Sequence, residues 1–141
     1  YHCFACCESL KEVVIPESVT SIDTYAFLLC TSLTCIKFPD NLLGISSKAF
    51  ARCNSLQSIV IPKGTRAIAN DAFAYCPSLR SIEVDADNPV FDSRGGSNSI
   101  IITPINRLIC GCSTTIIPDS VTEIWHDAFR GSSIALIYLT L

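Results

Sequence analysis

The chain has 141 residues, 49% of them apolar, with a net charge of −3 and a mean hydropathy of +0.42. That length fits a single domain. A membrane-crossing helix needs about 20 consecutive apolar residues, and Pro, Asp, Ser and Thr interrupt every apolar run here well before that. With no basic cluster, the chain also lacks the electrostatic footprint of a nucleic-acid binder or of a polybasic membrane segment.

Taken from its start, the chain repeats itself. Phe4, Phe27, Phe50 and Phe73 lie 23 residues apart, and Cys7, Cys30, Cys53 and Cys76 keep the same step. Self-similarity at a fixed period of this length predicts a solenoid. Each regular coil, over residues 1–84, reads as three pieces. Leu10–Ile15 is a short strand with Leu10, Val13 and Ile15 inward and Glu12 and Val14 outward. Pro16 stops it, as do Pro39, Pro62 and Pro118 in other coils, because proline cannot donate to a continuing ladder. Ser18–Ile22 is a second extended piece whose Val19 and Ile22 face the core. Leu42 with Ile45, Ile68, and Val121 with Ile124 are its equivalents, and Thr65 marks a local weakness. Ala26-Phe27 then makes a tight helical turn, closed by Cys30 and Leu33. One coil alone leaves both of its broad faces uncovered, so stacking must supply the stability.

The rhythm breaks after Val84. From Phe73 to Phe129 is 56 residues, two periods plus ten. Within the irregular coil, residues 85–116, Ile100–Ile102, a turn at Thr103–Asn106 and Arg107–Cys110 read as a β-hairpin. Regularity returns over 117–141 with Ile117-Pro118, Val121, Ile124 and Ala128-Phe129, and Ile134, Ile137 and Leu139 supply a last strand. The chain has no Met and both ends fall inside repeats, so a piece of a longer repeat protein is expected.

Nine cysteines would ordinarily suggest disulfides or a metal site. The shared register of Cys7, Cys30, Cys53 and Cys76 favours free, buried thiols acting as small hydrophobes. Coil spacing leaves a disulfide open on distance alone. A metal role for some of the nine is the other alternative, and Cys110 and Cys112 stand where an exception would fall. Cys3 and Cys6 form a C-x-x-C only by accident of register. No cofactor is expected.

Ile15-Pro16, Val19, Ile22, Ala26-Phe27, Cys30, Leu33 and Ile36 spell a pattern that closely resembles the BspA-like leucine-rich repeats. Ile117-Pro118, Val121, Ile124 and Ala128-Phe129 carry it again, and Asn88-Pro89-Val90-Phe91 before a hairpin looks like a variant of the same family. The resemblance departs where family coils often carry Gly after the second-strand Ile; Asp23, Ser46, Ala69 and Trp125 stand there. It implies a β-rich leucine-rich-repeat solenoid, right-handed, with short parallel strands, short helical turns and one irregular coil carrying a hairpin. It further implies a secreted or bacterial cell-surface, adhesin-type module that binds host or matrix proteins; a structural spacer displaying another domain is the alternative.

Two binding hypotheses follow. The first uses the outward strand positions as a ligand-binding face: Lys11, Glu12 and Val14; Thr34, Cys35 and Lys37; Gln57, Ser58 and Val60; Arg80, Ser81 and Glu83. The second makes the irregular coil the specificity element, through Phe91, Arg94 and Gly95-Gly96. Asp85, Asp87, Asn88 and Asp92 could gather oxygens for Ca²⁺, but they lack EF-hand spacing and read better as turn residues. The chain has two histidines, His2 and His126, and no nucleophile elbow, phosphate loop or metalloprotease motif, so an enzyme is not expected. Open solenoid edges predict end-to-end self-stacking.

Overall fold

The computed structural model describes residues 3–133, and the strand predicted at Ile134, Ile137 and Leu139 lies outside them. In the regular part, strands come in alternating positions: β1 (Glu12–Val14), β2 (Ser21–Ile22), β3 (Cys35–Lys37), β4 (Gly44–Ile45), β5 (Ser58–Ile61), β6 (Ala67–Ile68) and β7 (Ser81–Val84). The odd-numbered strands pair in parallel as β1–β3 and β5–β7, and the even-numbered ones form a second parallel sheet, β2–β4–β6. Partners sit one period apart, Val13 opposite Ile36 and Ile59 opposite Ile82, so inward residues stack on their own copies. Proline follows β1, β3 and β5 as expected, whereas β7 runs into Asp85. The proline carbonyl then closes a tight turn, Pro16 O accepting from Val19 N and Pro39 O from Leu42 N.

The third side of each coil holds the Ala-Phe segment. The expected helical turn is absent there. Instead, consecutive tight turns pass through left-handed residues, with φ of 61° at Tyr25, 61° at Leu29, 52° at Lys48 and 60° at Arg52. Because the segment is not a helix, its amides point between coils. Phe27 N bonds Ala49 O and Phe50 N bonds Ala72 O, each at 2.8 Å. These bonds return what the non-Gly left-handed residues cost.

Phenylalanine rings stack from coil to coil, Phe27, Phe50 and Phe73 buried and Phe4 exposed at the end: Phe4 on Phe27 at 5.2 Å, Phe27 on Phe50 at 5.1 Å and Phe50 on Phe73 at 5.4 Å between centroids. Phe38 meets Phe50 edge-on at 5.6 Å. Both are arrangements that the ring quadrupole favours. Leu33, Leu56, Ile36, Ile59 and Ile82 fill the space around them, all buried.

Two expectations about single residues change. Thr65 is no weakness: fully buried, it donates its hydroxyl to Leu42 O at 3.0 Å, so its polar atom is satisfied. Ile124, expected in the core, is 43% exposed, since among the described strands β11 (Glu123–Ile124) pairs on one side alone.

The irregular coil contains the predicted hairpin and more. β8 (Phe91–Asp92), β9 (Ser99–Ile102) and β10 (Arg107–Gly111) run antiparallel in succession, and β11 joins β10 in parallel. This coil has no Ala-Phe turn of its own. Gly111 N takes up the bond to Ala128 O, and Tyr75 N reaches past the insertion to Arg130 O, both at 2.8 Å. A Cβ at Gly111 would overlap the Phe129 ring as it stands. The turn side therefore continues across the interruption.

Candidate functional site

The row of outward strand residues is built by register. Glu12 stands beside Cys35, Val14 beside Lys37, Ser58 beside Ser81 and Val60 beside Glu83. At the entry to each strand, Thr34 N bonds Lys11 O, Gln57 N bonds Thr34 O and Arg80 N bonds Gln57 O, which joins the two strand pairs along one edge. Lys11, Glu12, Cys35, Lys37, Gln57, Arg80 and Glu83 are exposed, and Thr34, Ser58 and Ser81 half-buried. Two apolar side chains stand out on this face: Val14 is 73% exposed and Val60 54%. In one lateral column, Val14, Lys37, Val60 and Glu83 thus alternate apolar and charged.

The irregular coil does not offer the surface expected of it. Phe91 is 3% exposed and belongs to the core. It is drawn inward because Asn88 Oδ1 accepts from both Val90 N and Phe91 N, 2.9 Å each, and turns the chain into β8. The Arg94 guanidinium is occupied within the molecule: Nε bonds Asp92 Oδ1 at 2.7 Å, Nη2 bonds Asp92 Oδ2 at 2.5 Å, and Nη1 reaches Asn106 and Ser120. Burial alone would raise the Asp92 carboxyl, but its bonds from Arg94 and Thr103 outweigh that and hold it below its usual range. Arg94 is a brace between hairpin and last coil. The acidic residues nearby serve turns, Asp85 Oδ1 accepting from Asp87 N at 2.9 Å.

All nine cysteines are free thiols, and Cys30, Cys53, Cys76, Cys110 and Cys112 are buried. Cys7 is exposed, unlike its stacked equivalents. Burial pushes the thiols of Cys53, Cys76 and Cys110 up, that of Cys76 to about 12, so they stay neutral and unreactive at physiological pH. His126 stands exposed, its Nε2 3.4 Å from Asp127.

The family model described as BspA type leucine-rich repeat region matches residues 1–106, in six copies. The chain belongs to this family. Among solved structures, this BspA-type repeat chain is similar to a leucine-rich cell surface protein from Faecalibacterium prausnitzii, with a TM-score of 0.81 and 29% identity over 96% of this chain and 37% of that one. A leucine-rich repeat protein from T. pallidum matches at 31% identity and a TM-score of 0.59, over 96% of this chain and 49% of that one. The pneumococcal vaccine antigen PcpA shares the fold, with a TM-score of 0.80 at 24% identity over 92% of this chain and 33% of its own. This chain thus spans less than half the length of each. No curated protein matches it. The BspA-type repeats and their surface-protein neighbours support a protein-interaction module. Among the described residues, no helix is long and apolar enough to cross a membrane.

Proposed function

We propose that this chain is a non-enzymatic binding segment of a bacterial cell-surface protein, of adhesin type, whose strand face takes hold of a host or matrix protein. The observation that carries the reading is the in-register face itself. Val14 and Val60 project from it into solvent, flanked by Lys37 and Glu83 one strand away. Apolar contacts ringed by charge are the ingredients of a protein interface, and parallel stacking extends them over several strands. The description of the F. prausnitzii neighbour as a cell surface protein supports the location.

The test is surface plasmon resonance of the purified chain over immobilised fibronectin, laminin and collagen. Saturable binding that weakens in a Lys37→Glu, Arg80→Glu double variant and in Val60→Asp supports the strand face. Absence of saturable binding to any of the three returns the chain to a spacer role.

A further inference from the structure

A second concave surface lies on the turn side and shares no residue with the strand face. Its walls are the positions two before and two after the ladder phenylalanines, several of them left-handed, and its floor is the position just after, where Ala51 and Ala74 are small and buried. Small floor residues between longer wall residues leave a groove of about 320 Å³ along the stack. Lys48, Arg52 and Arg130 line it, with Asp71 the one carboxylate among its lining residues.

We propose that this groove binds an extended acidic peptide segment through Asp or Glu carboxylates. The groove's cations are partnered differently from several cations elsewhere in the chain. Arg94, Arg107 and Lys63 each sit on a carboxylate, at 2.5, 2.7 and 2.8 Å. Lys48 and Arg52 in the groove do not. The Arg52 guanidinium lies over the Tyr75 ring at 4.9 Å, and Lys48 Nζ over the Tyr25 ring at 5.8 Å; among the described residues neither has an ion-pair partner. Arg130 also lies over Tyr75, at 5.3 Å, with Nε on the Tyr75 hydroxyl at 3.0 Å, and it keeps a longer ion pair with Asp127, at 3.4 Å. Asp71 is already used by the Ser47 hydroxyl at 3.0 Å and the Lys48 amide at 3.3 Å.

With Arg130 paired to Asp127, Lys48 and Arg52 are the groove's cations without a carboxylate partner among the described residues. They make the groove locally positive in a chain of net charge −3. A guanidinium held over a tyrosine ring keeps its N–H donors, and a carboxylate can meet two of them at once. The same stacking argues against a sugar occupant. Tyr75 already carries two guanidiniums, so it offers a glycan no bare platform.

The test is fluorescence anisotropy with a labelled hexaglutamate peptide, added to the whole chain at low salt. Saturable binding that weakens with rising salt is expected. Arg52→Gln should weaken it about fivefold or more, and Lys48→Gln should weaken it too, while Lys63→Gln, outside both the groove and the strand face, leaves it nearly unchanged. Thermal melts of the two groove variants should match the parent, because both substitutions remove charge from solvent-facing side chains. Should one variant melt early, the other decides. No hexaglutamate binding, binding indifferent to both groove substitutions, or tighter binding of a heparin hexasaccharide than of hexaglutamate would each overturn the proposal.

Discussion

Cys53 donates its thiol proton to the carbonyl oxygen of Phe27, 3.3 Å away in the preceding coil. That oxygen also accepts from Cys30 N in its own coil, at 3.3 Å. The same double use recurs at Phe4 O, with Cys7 N and the Cys30 thiol, and at Phe50 O, with Cys53 N and the Cys76 thiol. Cysteine is small and apolar enough for the interior yet carries one weak donor. In these repeats it both fills the core and ties each coil to the one before.

Cys53→Ala should therefore cost about 1–2 kcal/mol, from the gap left by sulfur and the carbonyl that loses a donor. Cys35→Ala, on the exposed face, should stay within about 0.5 kcal/mol of the parent. Urea midpoints of the three proteins measure this directly. Equal midpoints for Cys53→Ala and Cys35→Ala would mean that the thiol ladder contributes nothing to stacking.

Buried thiols also set an alkaline limit. Burial raises the Cys53 and Cys76 thiols above their ordinary value of 9.0, Cys76 to about 12. The folded state keeps these protons while the unfolded chain gives them up, so their contribution is complete below pH 9 and is lost as pH rises from there towards the folded values. Each such thiol should remove up to about 1.4 kcal/mol per pH unit over that window. Urea midpoints at pH 8 and pH 10.5 should diverge for the parent and diverge less for a Cys53→Val, Cys76→Val variant. An identical pH slope in the two proteins would assign alkaline unfolding to other groups.

What could be read in advance was whatever repeats. The Phe and Cys ladders and the in-out alternation of the strands follow from identical side chains at one spacing, and Phe27 sits on Phe50 for that reason. Residues whose partners lie in another coil gave no such signal. Thr65 looked like a defect because the carbonyl that satisfies it, Leu42 O, is 23 residues away. Phe91 looked exposed because Asn88, which turns it inward, reads locally as a loop residue. Tyr75 and Arg130, 55 residues apart, meet only because the irregular coil omits its own turn. The left-handed conformation at Tyr25, Leu29 and Arg52 is likewise invisible in residues that seldom adopt it. On the binding side, the alternation marked out the strand face, whereas the groove positions recur without a recurring residue type: Tyr25, Lys48 and Asp71 share one position, and Leu29, Arg52 and Tyr75 another.

Asn88 holds the entry to the irregular coil and has all its hydrogen-bonding capacity in use. Nδ2 donates to Pro62 O at 2.8 Å and Thr65 O at 3.1 Å, while Oδ1 accepts two amides. Asn88→Ala should cost about 2–4 kcal/mol by leaving buried partners unpaired. Asn88→Asp should be worse at neutral pH, because it sets a carboxylate against two carbonyl oxygens. Burial there raises the new carboxyl above its unfolded value near 4. The protonated form supplies an O–H donor, so the defect should shrink as pH falls towards 4 and grow as it rises. Melting temperatures at pH 4.5 and pH 7.5 check this; a defect in Asn88→Asp that ignores pH would show that the carbonyl pair does not face the side chain.

Two glycines with similar backbones separate strain from crowding. Gly95 has φ of 64° and no atom within 4 Å of where a Cβ would stand, so Gly95→Ala meets only the left-handed penalty of about 1–2 kcal/mol. Gly131 has φ of 75°, and a Cβ there would overlap the Tyr75 backbone where the last coil docks across the interruption. Gly131→Ala must add a clash to the same strain, at a further cost of about 1–3 kcal/mol. Its effect should be local. Hydrogen exchange should quicken at Tyr75 N and Gly111 N, whose acceptors are Arg130 O and Ala128 O, while amides of the Phe27–Phe50 ladder stay protected. Uniform acceleration along the whole chain would show instead that the last coil unfolds together with the regular stack.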